Sequence, residues 1–156
     1  MSSGFHLAEV NVGRLLAPVS DPAIDDFRNA LDAINALADA QPGFVWRLKG
    51  EGDNATDIQP DASDPLQAIN ASVWESPEHL AAFAYRTEHR DFVRRRLEWF
   101  APATEAILAL WWIPAGQTPS VAECLERLAA LRANGPTPYA FTFRERFPAP
   151  VAEAAE

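Results

Sequence analysis

Four stretches of the chain have the apolar pattern of β-strands. Residues 5–12 alternate in part between apolar and polar side chains, and residues 44–49 place alternate side chains on opposite faces, as strands with one buried face do. Residues 66–74 predict a third strand, and the almost wholly apolar residues 106–113 predict a fourth that is buried on both faces. A short additional strand is expected at residues 139–143.

Apolar residues that recur every three or four positions predict helices at about residues 21–42, 76–86, 92–100 and 118–135. Three of these helices begin with an Asp, Ser or Thr that is followed by proline. Such a side chain caps the free N–H groups, and proline is tolerated in the first turn. The remaining helix ends before Pro102, because proline cannot continue a helix from its interior.

The order of these elements predicts the fold class α+β. If the two central helices are counted as one, the order is the βαββαβ pattern of a ferredoxin-like sandwich, followed by an extra C-terminal helix and a short strand. We expect one domain over residues 1–148 and a flexible tail at residues 149–156. The helices of such a sandwich cover one face of the sheet. Because a chain of 156 residues has little left to cover the other face, we predict a homodimer whose two sheets pack face to face.

Charge and composition exclude several classes of partner. The chain has 13 Lys and Arg against 22 Asp and Glu, a net charge of −9, whereas nucleic acids and anionic membranes favour clustered basic residues. No stretch approaches the roughly 20 apolar residues of a membrane span, and the first residues lack the pattern of a signal peptide. The single cysteine, Cys124, has no disulfide partner in the chain. We therefore expect a cytoplasmic protein with neither nucleic acid nor membrane as a partner.

Aromatic residues are the compositional feature that points to a binding site, since the chain has five Trp, nine Phe and two Tyr. A mostly apolar cleft with a few converging polar groups is typical of small-molecule sites. The alternative is that the rings only fill the core, as large rings usually do. The candidate ligand-binding residues are Trp46, Trp74, Phe83, Tyr85, Phe92, Trp99 and Trp111.

Three polar residues are candidates for the catalytic groups of such a pocket. His89 can titrate near neutral pH and is the best candidate for proton transfer. The alternative is a histidine near a helix end that binds water or a backbone carbonyl. Asn11 and Asn70, on two predicted strands, could hydrogen-bond a carbonyl or an enolate of the ligand. Each could instead only tie strands together, because a buried Asn needs hydrogen-bond partners.

Basic residues concentrate between Arg86 and Arg96, where five arginines occur within 11 residues. They could bind an anionic group of a substrate. The acidic residues among them favour a solvated helix face with ion pairs between neighbouring turns. Arg47, predicted on the strand face opposite that of Trp46, is expected to be exposed or paired with an acid such as Glu75.

The sequence has no pattern for a metal ion or a bound nucleotide. No pair of histidines has a metal-ligand spacing on one helix, and the acid-rich residues 50–65 lack the glycine and glutamate of a calcium loop. A phosphate-binding glycine loop, a nucleophile elbow and a dinucleotide fingerprint are also missing. These patterns therefore predict no metal site and no cofactor.

Several motifs resemble the dimeric α/β-barrel superfamily, which includes the antibiotic-biosynthesis monooxygenases. The first is the segment WES at residues 74–76, at a strand end, followed by a helix with Leu80, Phe83 and His89. A longer pattern over residues 5–148 is similar to an uncharacterised bacterial branch of the superfamily. Its segments are HLAEVNVGRL, NALADAQPGFVWRL, NASVWES, RRRLEWF, LWWIPAG and NGPTPYAFTFRERFP.

The resemblance implies a ferredoxin-like sandwich that forms a dimeric α/β barrel and binds a small aromatic or polycyclic molecule in each protomer. It implies a cofactor-independent monooxygenase, or an isomerase or cyclase, in which His89 moves a proton while Asn11 and Asn70 hold a carbonyl or enolate. The alternatives are a haem-binding protein with His89 as axial ligand, or a non-catalytic ligand-binding module. Haem-degrading relatives use an Asn, a Trp and a His. Asn11 matches the first, whereas Phe83 and Val93 occupy the other two positions.

Overall fold

The structure, a computed structural model, describes residues 4–150 except residues 51, 53, 62, 87 and 88, and it leaves out the side chains of Arg86, His89 and Phe92. Most of the predicted tail, residues 151–156, therefore lies outside the described residues. The strands are β1 (Phe5–Arg14), β2 (Phe44–Arg47), β3 (Gln67–Trp74) and β4 (Leu108–Pro114). The helices are α1 (Asp25–Asp39), which follows a 3-10 turn at Pro22–Ile24, α2 (Pro77–Arg86), α3 (His89–Arg94), α4 (Arg96–Trp99) and α5 (Val121–Asn134).

The four strands form one antiparallel sheet in the order β2-β3-β1-β4. Leu7 of β1 lies opposite Trp74 of β3 and Trp112 of β4, and Asn11 lies opposite Asn70. With its helices packed on this sheet, the chain is an α+β protein of ferredoxin-like topology, as predicted. Among the described helices, none has both the length and the apolar character of a membrane span.

Two predicted elements are shorter than expected. The helix predicted at residues 92–100 is interrupted, so that α3 and α4 are separate short helices. The last strand, predicted at residues 139–143, is only an isolated bridge in which Leu110 and Phe141 exchange backbone hydrogen bonds of 2.8 Å. A tight turn at residues 137–140 immediately precedes this bridge and limits its length.

The sheet has two faces, which we name the α1 face and the α5 face after the helices that cover them. Leu7, Glu9 and Asn11 lie on the α1 face with the β3 partners Ser72 and Trp74, because residues two apart on a strand share a face. Helices α1 and α2 pack on this face. The α5 face carries the intervening apolar side chains, among them Ala8, Val10, Ala71, Val73 and Trp111.

Helix α5 covers the face that the sequence predicts to remain open. Its Cys124, Leu128 and Leu131 are buried in one core cluster with the sheet residues of the α5 face, where Ala71 and Trp111 have no exposed surface. The argument that this face needs a second sheet to cover it is therefore wrong. Within the single chain, α5 packs on β1 and β4, and Leu48 and Ile58 from the segment after β2 pack against the same core cluster.

Strand β2 contains an irregularity that reverses the faces of two predicted residues. The register shifts between Phe44 and Trp46, so that Trp46 lies on the α5 face opposite Val73, and Arg47 lies on the α1 face opposite Ser72. A shift of one residue moves every following side chain to the other face. The predicted alternation, with Phe44 and Trp46 on the same face, is wrong at this position.

The irregularity also changes the surroundings of Arg47. This residue is only 5% exposed, and its guanidinium pairs with Asp39 at the end of α1 through contacts of 2.8 and 3.2 Å. The predicted pairing of Arg47 with an acid is confirmed, but the acid is Asp39 and not Glu75, and the alternative of an exposed Arg47 is wrong. The α1 face brings Arg47 against the end of α1 instead.

Candidate functional site

A cavity of about 330 Å³ lies between the α1 face of the sheet and the helices that cover it. Phe27, Leu31 and Ile34 of α1 line one side, and Leu80 and Phe83 of α2 line another. These side chains recur every three or four residues, so each helix turns an apolar side toward the sheet. The volume is at the lower end of the range of about 300–1,000 Å³ typical of small-molecule sites.

Glu9 is buried on the sheet side of this cavity, with 4% of its surface exposed. Ser72 Oγ donates a hydrogen bond of 2.8 Å to Glu9 Oε2, and the Asn11 amide nitrogen donates to Oε1. Trp74 Nε1 donates in turn to Ser72 Oγ at 2.9 Å. Neighbours in this network lie either two residues apart on one strand or directly across the β1–β3 pair. The strand register alone therefore assembles the network.

The surroundings of Glu9 change its acidity. Burial raises the pKa of its carboxyl group from 4.5 to about 7, and the hydrogen bonds from Asn11 and Ser72 offset part of this effect. Among the described residues, no Lys, Arg or His lies within ion-pair distance of Glu9 to lower the pKa further. A carboxyl group with a pKa near 7 is present in both protonation states at neutral pH, so it can accept or donate a proton.

Asn70 marks the open side of the cavity. It lies directly across from Asn11, one step along the sheet from the Glu9–Ser72 pair. Asn70 lines the cavity and is exposed, although β3 is an inner strand. Its amide offers both a donor and an acceptor to a ligand that enters from solvent.

Six of the residues predicted for the site do line the cavity. Trp74 stacks on Phe83 with 5.3 Å between ring centroids, and Trp99 packs against Phe27 at 5.6 Å. Tyr85 is 55% exposed and therefore lies at the rim. The six predicted residues that line the cavity are Asn11, Asn70, Trp74, Phe83, Tyr85 and Trp99.

Two predicted ligand-binding residues lie elsewhere. Trp46 and Trp111 belong to the core cluster on the α5 face, with the sheet between them and the cavity. The register shift in β2 explains why Trp46 is on the α5 face. Leu110, the residue before Trp111 in β4, is on the α1 face. Because adjacent residues of a strand point to opposite faces, Trp111 cannot face the cavity as well. Assigning these two tryptophans to the pocket is therefore wrong.

The side chains of His89 and Phe92 lie outside the described residues, although both residues belong to α3. Of the other histidines, His79 Nδ1 contacts Ser76 Oγ at 2.7 Å at the start of α2, and neither His6 nor His79 lines the cavity. The described residues contain no group of three or more His, Cys, Asp and Glu that could hold a metal ion.

The arginines after α2 fall into two kinds. Arg94 lies 3.7 Å from Asp91, and Arg95 pairs with Asp26 and with a glutamate of α4 at about 3 Å. These two match the solvated, paired helix face that the sequence favours. Arg96 differs, because it lines the cavity.

Glu9 is not among the candidate site residues predicted from the sequence. The signal is weak but present: Glu9 is in phase with Leu7, while the apolar Ala8 and Val10 occupy the other side of the strand. Both sides of β1 are buried. A glutamate on a strand buried on both faces is expected to be functional or paired.

The fold and the site together define a class: a ferredoxin-like α+β protein in which one apolar cavity contains a buried carboxyl group with hydrogen-bond donors on both oxygens. The chain belongs to the family described as "Domain of unknown function (DUF3291)", whose family model matches residues 6–156. No protein with a curated description matches the chain.

Solved structures that are similar to the chain share about three quarters of its length. PA3566 from Pseudomonas aeruginosa is 16% identical, with 75% of this chain and 99% of that chain covered and a TM-score of 0.48. A "Putative antibiotic biosynthesis monooxygenase" from Nitrosomonas europaea is 12% identical, with 77% and 98% covered and a TM-score of 0.49. A protein of the same name from Chloroflexus aurantiacus is 17% identical, with 74% and 98% covered and a TM-score of 0.44.

Proposed function

We propose that the protein is an enzyme that binds an aromatic or polycyclic metabolite in the cavity and that Glu9 transfers a proton to or from it. The observation that carries this proposal is a buried carboxyl group, held by Asn11 and Ser72, in the wall of an otherwise largely apolar cavity. An apolar site with few, well-placed polar groups suits a ring system, and a group whose pKa is near 7 suits general acid–base catalysis at neutral pH.

In the proposed step, the Glu9 carboxylate takes a proton from a carbon next to a carbonyl group of the ligand. The electron pair of the broken C–H bond moves into an enolate, and the Asn70 amide donates a hydrogen bond to its oxygen. An isomerase would return the proton to a second carbon. In a cofactor-independent monooxygenase, the enolate carbon would give the electron pair to O2 and form a C–O bond to a peroxide anion. The proton held by Glu9 converts this anion into a hydroperoxide, which loses water to leave a new carbonyl group.

Two predictions from the sequence belong to this proposal. His89 remains a predicted proton-transfer residue, and its position at the start of α3, after the cavity-lining α2, is compatible with that role. The homodimer also remains a prediction. Because α5 packs on the face through which the two sheets would meet, we propose that the dimer forms through another surface.

The proposal is tested by deuterium exchange into 2-tetralone, a bicyclic ketone with acidic C–H bonds, followed by NMR in D2O. We expect the wild-type protein to accelerate exchange and Glu9→Gln to reduce this acceleration by about 100-fold, within the usual range for general acid–base groups. Glu75→Gln is the matched control, because Glu75 is exposed at the end of β3. Equal exchange rates with wild-type and Glu9→Gln protein would reject Glu9 as the proton-transfer group.

A further inference from the structure

Arg96 is a cavity residue with no ion-pair partner in the part of the chain that the structure describes. Its guanidinium lies over the Phe100 ring, 5.2 Å from the centroid, and it is half-buried. Among the described residues, no carboxylate lies within ion-pair distance of it, whereas the neighbouring Arg94 and Arg95 both have such partners. Arg14 of β1 also has such a partner, because its guanidinium pairs with an aspartate at 3.1 Å.

The position of Arg96 is fixed by packing. Phe100 lies directly on the backbone of β1, so close that a Cβ atom at Gly13 would be 2.6 Å from its ring. Phe27 of α1 packs edge-on against the same ring, with 5.3 Å between centroids. The ring is therefore held on two sides, and it presents one surface to the guanidinium, which favours a stacked arrangement.

Arg96 and Glu9 lie toward different ends of the cavity. The pairs Glu9–Ser72, Asn11–Asn70 and Gly13–Ala68 follow one another along the α1 face, so that Gly13 is about 13 Å from Glu9 at the usual rise per residue. Arg96 is at the Gly13 end, where both residues also line a shallow outer cleft. A ligand that reaches from the cleft to Glu9 would thus pass Arg96 first.

We propose that Arg96 binds a carboxylate of the ligand, and hence that the substrate class is an aromatic or polycyclic carboxylic acid. The guanidinium fork matches a planar carboxylate, and a half-buried cation without a counter-ion gains by taking one. The net charge of −9 repels anions at long range. An anionic ligand therefore needs a local cation such as this one. The ring system would then extend along the apolar wall toward Glu9.

Burial supports this assignment, because it lowers the pKa of Arg96 from its ordinary value. The guanidinium has lost part of its hydration, and no described acidic residue compensates for this loss. The inference rests on the proposed function, since it concerns the same cavity, but it involves a different residue and a different step, binding rather than proton transfer.

The test is isothermal titration calorimetry with 2-naphthoate and with 2-naphthamide, a neutral probe of nearly the same shape. We expect wild-type protein to bind 2-naphthoate about tenfold more tightly than 2-naphthamide, as a charge-assisted hydrogen bond predicts. Arg96→Gln is expected to abolish this preference, and Arg96→Lys to keep part of it because the charge remains. Arg94→Gln, which removes a charge paired on the surface, is expected to leave the preference unchanged.

The outcomes separate the two proposals. If wild-type protein binds both probes equally, or if Arg96→Gln keeps the full preference while its circular dichroism is unchanged, the role of Arg96 is rejected and the cavity is still a ring-binding site. If the wild-type protein binds neither probe, the proposed ligand class is rejected together with the role of Arg96. Arg96→Lys preserves the positive charge on α4 but removes the planar guanidinium fork. It therefore tests how the fork binds a carboxylate even if Arg96→Gln does not fold.

Discussion

At the scale of single residues, the pKa of Glu9 is determined by its surroundings in the fold and not by the side chain alone. A glutamate in water has a pKa well below 7. In the folded protein, burial raises the pKa of Glu9 to about 7, although the hydrogen bonds from Ser72 and Asn11 stabilise the charged form in part. Two opposing effects thus set the proton affinity. Because the donors come from the same sheet as the carboxyl group, the network cannot form before β1 and β3 have paired.

This linkage predicts a pH dependence of stability. The folded protein binds the Glu9 proton more tightly than the unfolded chain, so the stabilisation is complete below about pH 4.5 and is lost as the pH rises to about 7. The loss amounts to about 3 kcal/mol in the free energy of unfolding. In Glu9→Gln, which cannot ionise, this part of the pH dependence is expected to be absent.

Urea unfolding at pH 5 and pH 8 measures the effect. Other groups titrate in the same range, so the quantity to compare is the difference between the two pH values in wild type, in Glu9→Gln and in the control Glu75→Gln. We expect the control to follow wild type. A Glu9→Gln protein that loses as much stability as wild type between these pH values would show that Glu9 has an ordinary pKa.

At the scale of secondary structure elements, the contact between β1 and α4 shapes one end of the cavity. Phe100 follows α4 and lies on Gly13 of β1, which is why Arg96, one turn earlier, is held over the ring. Glycine is needed at this position for close approach and not for an unusual backbone angle, since the residue has no positive φ.

Gly13→Ala is expected to destabilise the protein by about 1–3 kcal/mol, because the new methyl group would force the Phe100 ring away from the strand. Urea unfolding measures this change. Gly52→Ala is the matched control, since no other described residue lies within 4 Å of the added Cβ atom there, and we expect a change of less than about 0.5 kcal/mol. Unchanged stability in Gly13→Ala would mean that Phe100 can move without cost.

The elements also show where sequence patterns stop being informative. The alternation in β1 and β3 predicts correctly which residues share a face, because both strands are regular over their full length. In β2 the same reasoning misplaces Trp46 and Arg47, since one irregular residue reverses the faces and leaves no mark in the pattern of apolar residues. Likewise, the apolar run in residues 106–113 predicts burial on both faces but not which face contacts the cavity.

At the scale of the whole molecule, α5 replaces the partner that the ferredoxin-like sheet was predicted to need. Its buried residues contact the α5 face, so the core is closed by one chain. Leu128→Ala is expected to lower the free energy of unfolding by about 2–5 kcal/mol, as for other buried leucines. Leu97→Ala is the matched control, because Leu97 is 64% exposed.

Two measurements distinguish this arrangement from a dimer seam. Light scattering is expected to give the same mass for Leu128→Ala and wild type, and the substitution is expected to lower the urea midpoint by the same amount at every protein concentration. If the α5 face were a contact between protomers, the substitution would reduce the mass and its effect on the midpoint would change with protein concentration.

The order of elements could be predicted from the sequence because each element has local signals, such as caps, prolines and apolar periodicity. The position of α5 could not, since its apolar side fits either its own sheet or another protein. Part of the cavity wall can be predicted from the sequence. Regular alternation along β1 and β3 places Asn11, Asn70 and Trp74 on one face, whereas the burial of Glu9 arises only when both faces of the sheet are covered.

The closure of the sheet by α5 has a practical consequence for enzymology. Sites that are completed by a second protomer lose activity when the protein is diluted below its dissociation constant. Here α5, a helix of the same chain, packs on the opposite face of the sheet that contains Glu9. The effective concentration of this helix at the sheet is therefore fixed by its covalent connection. The proposed activity per molecule is therefore expected not to depend on protein concentration through this face, and a dependence seen in a nanomolar assay would indicate assembly through another surface.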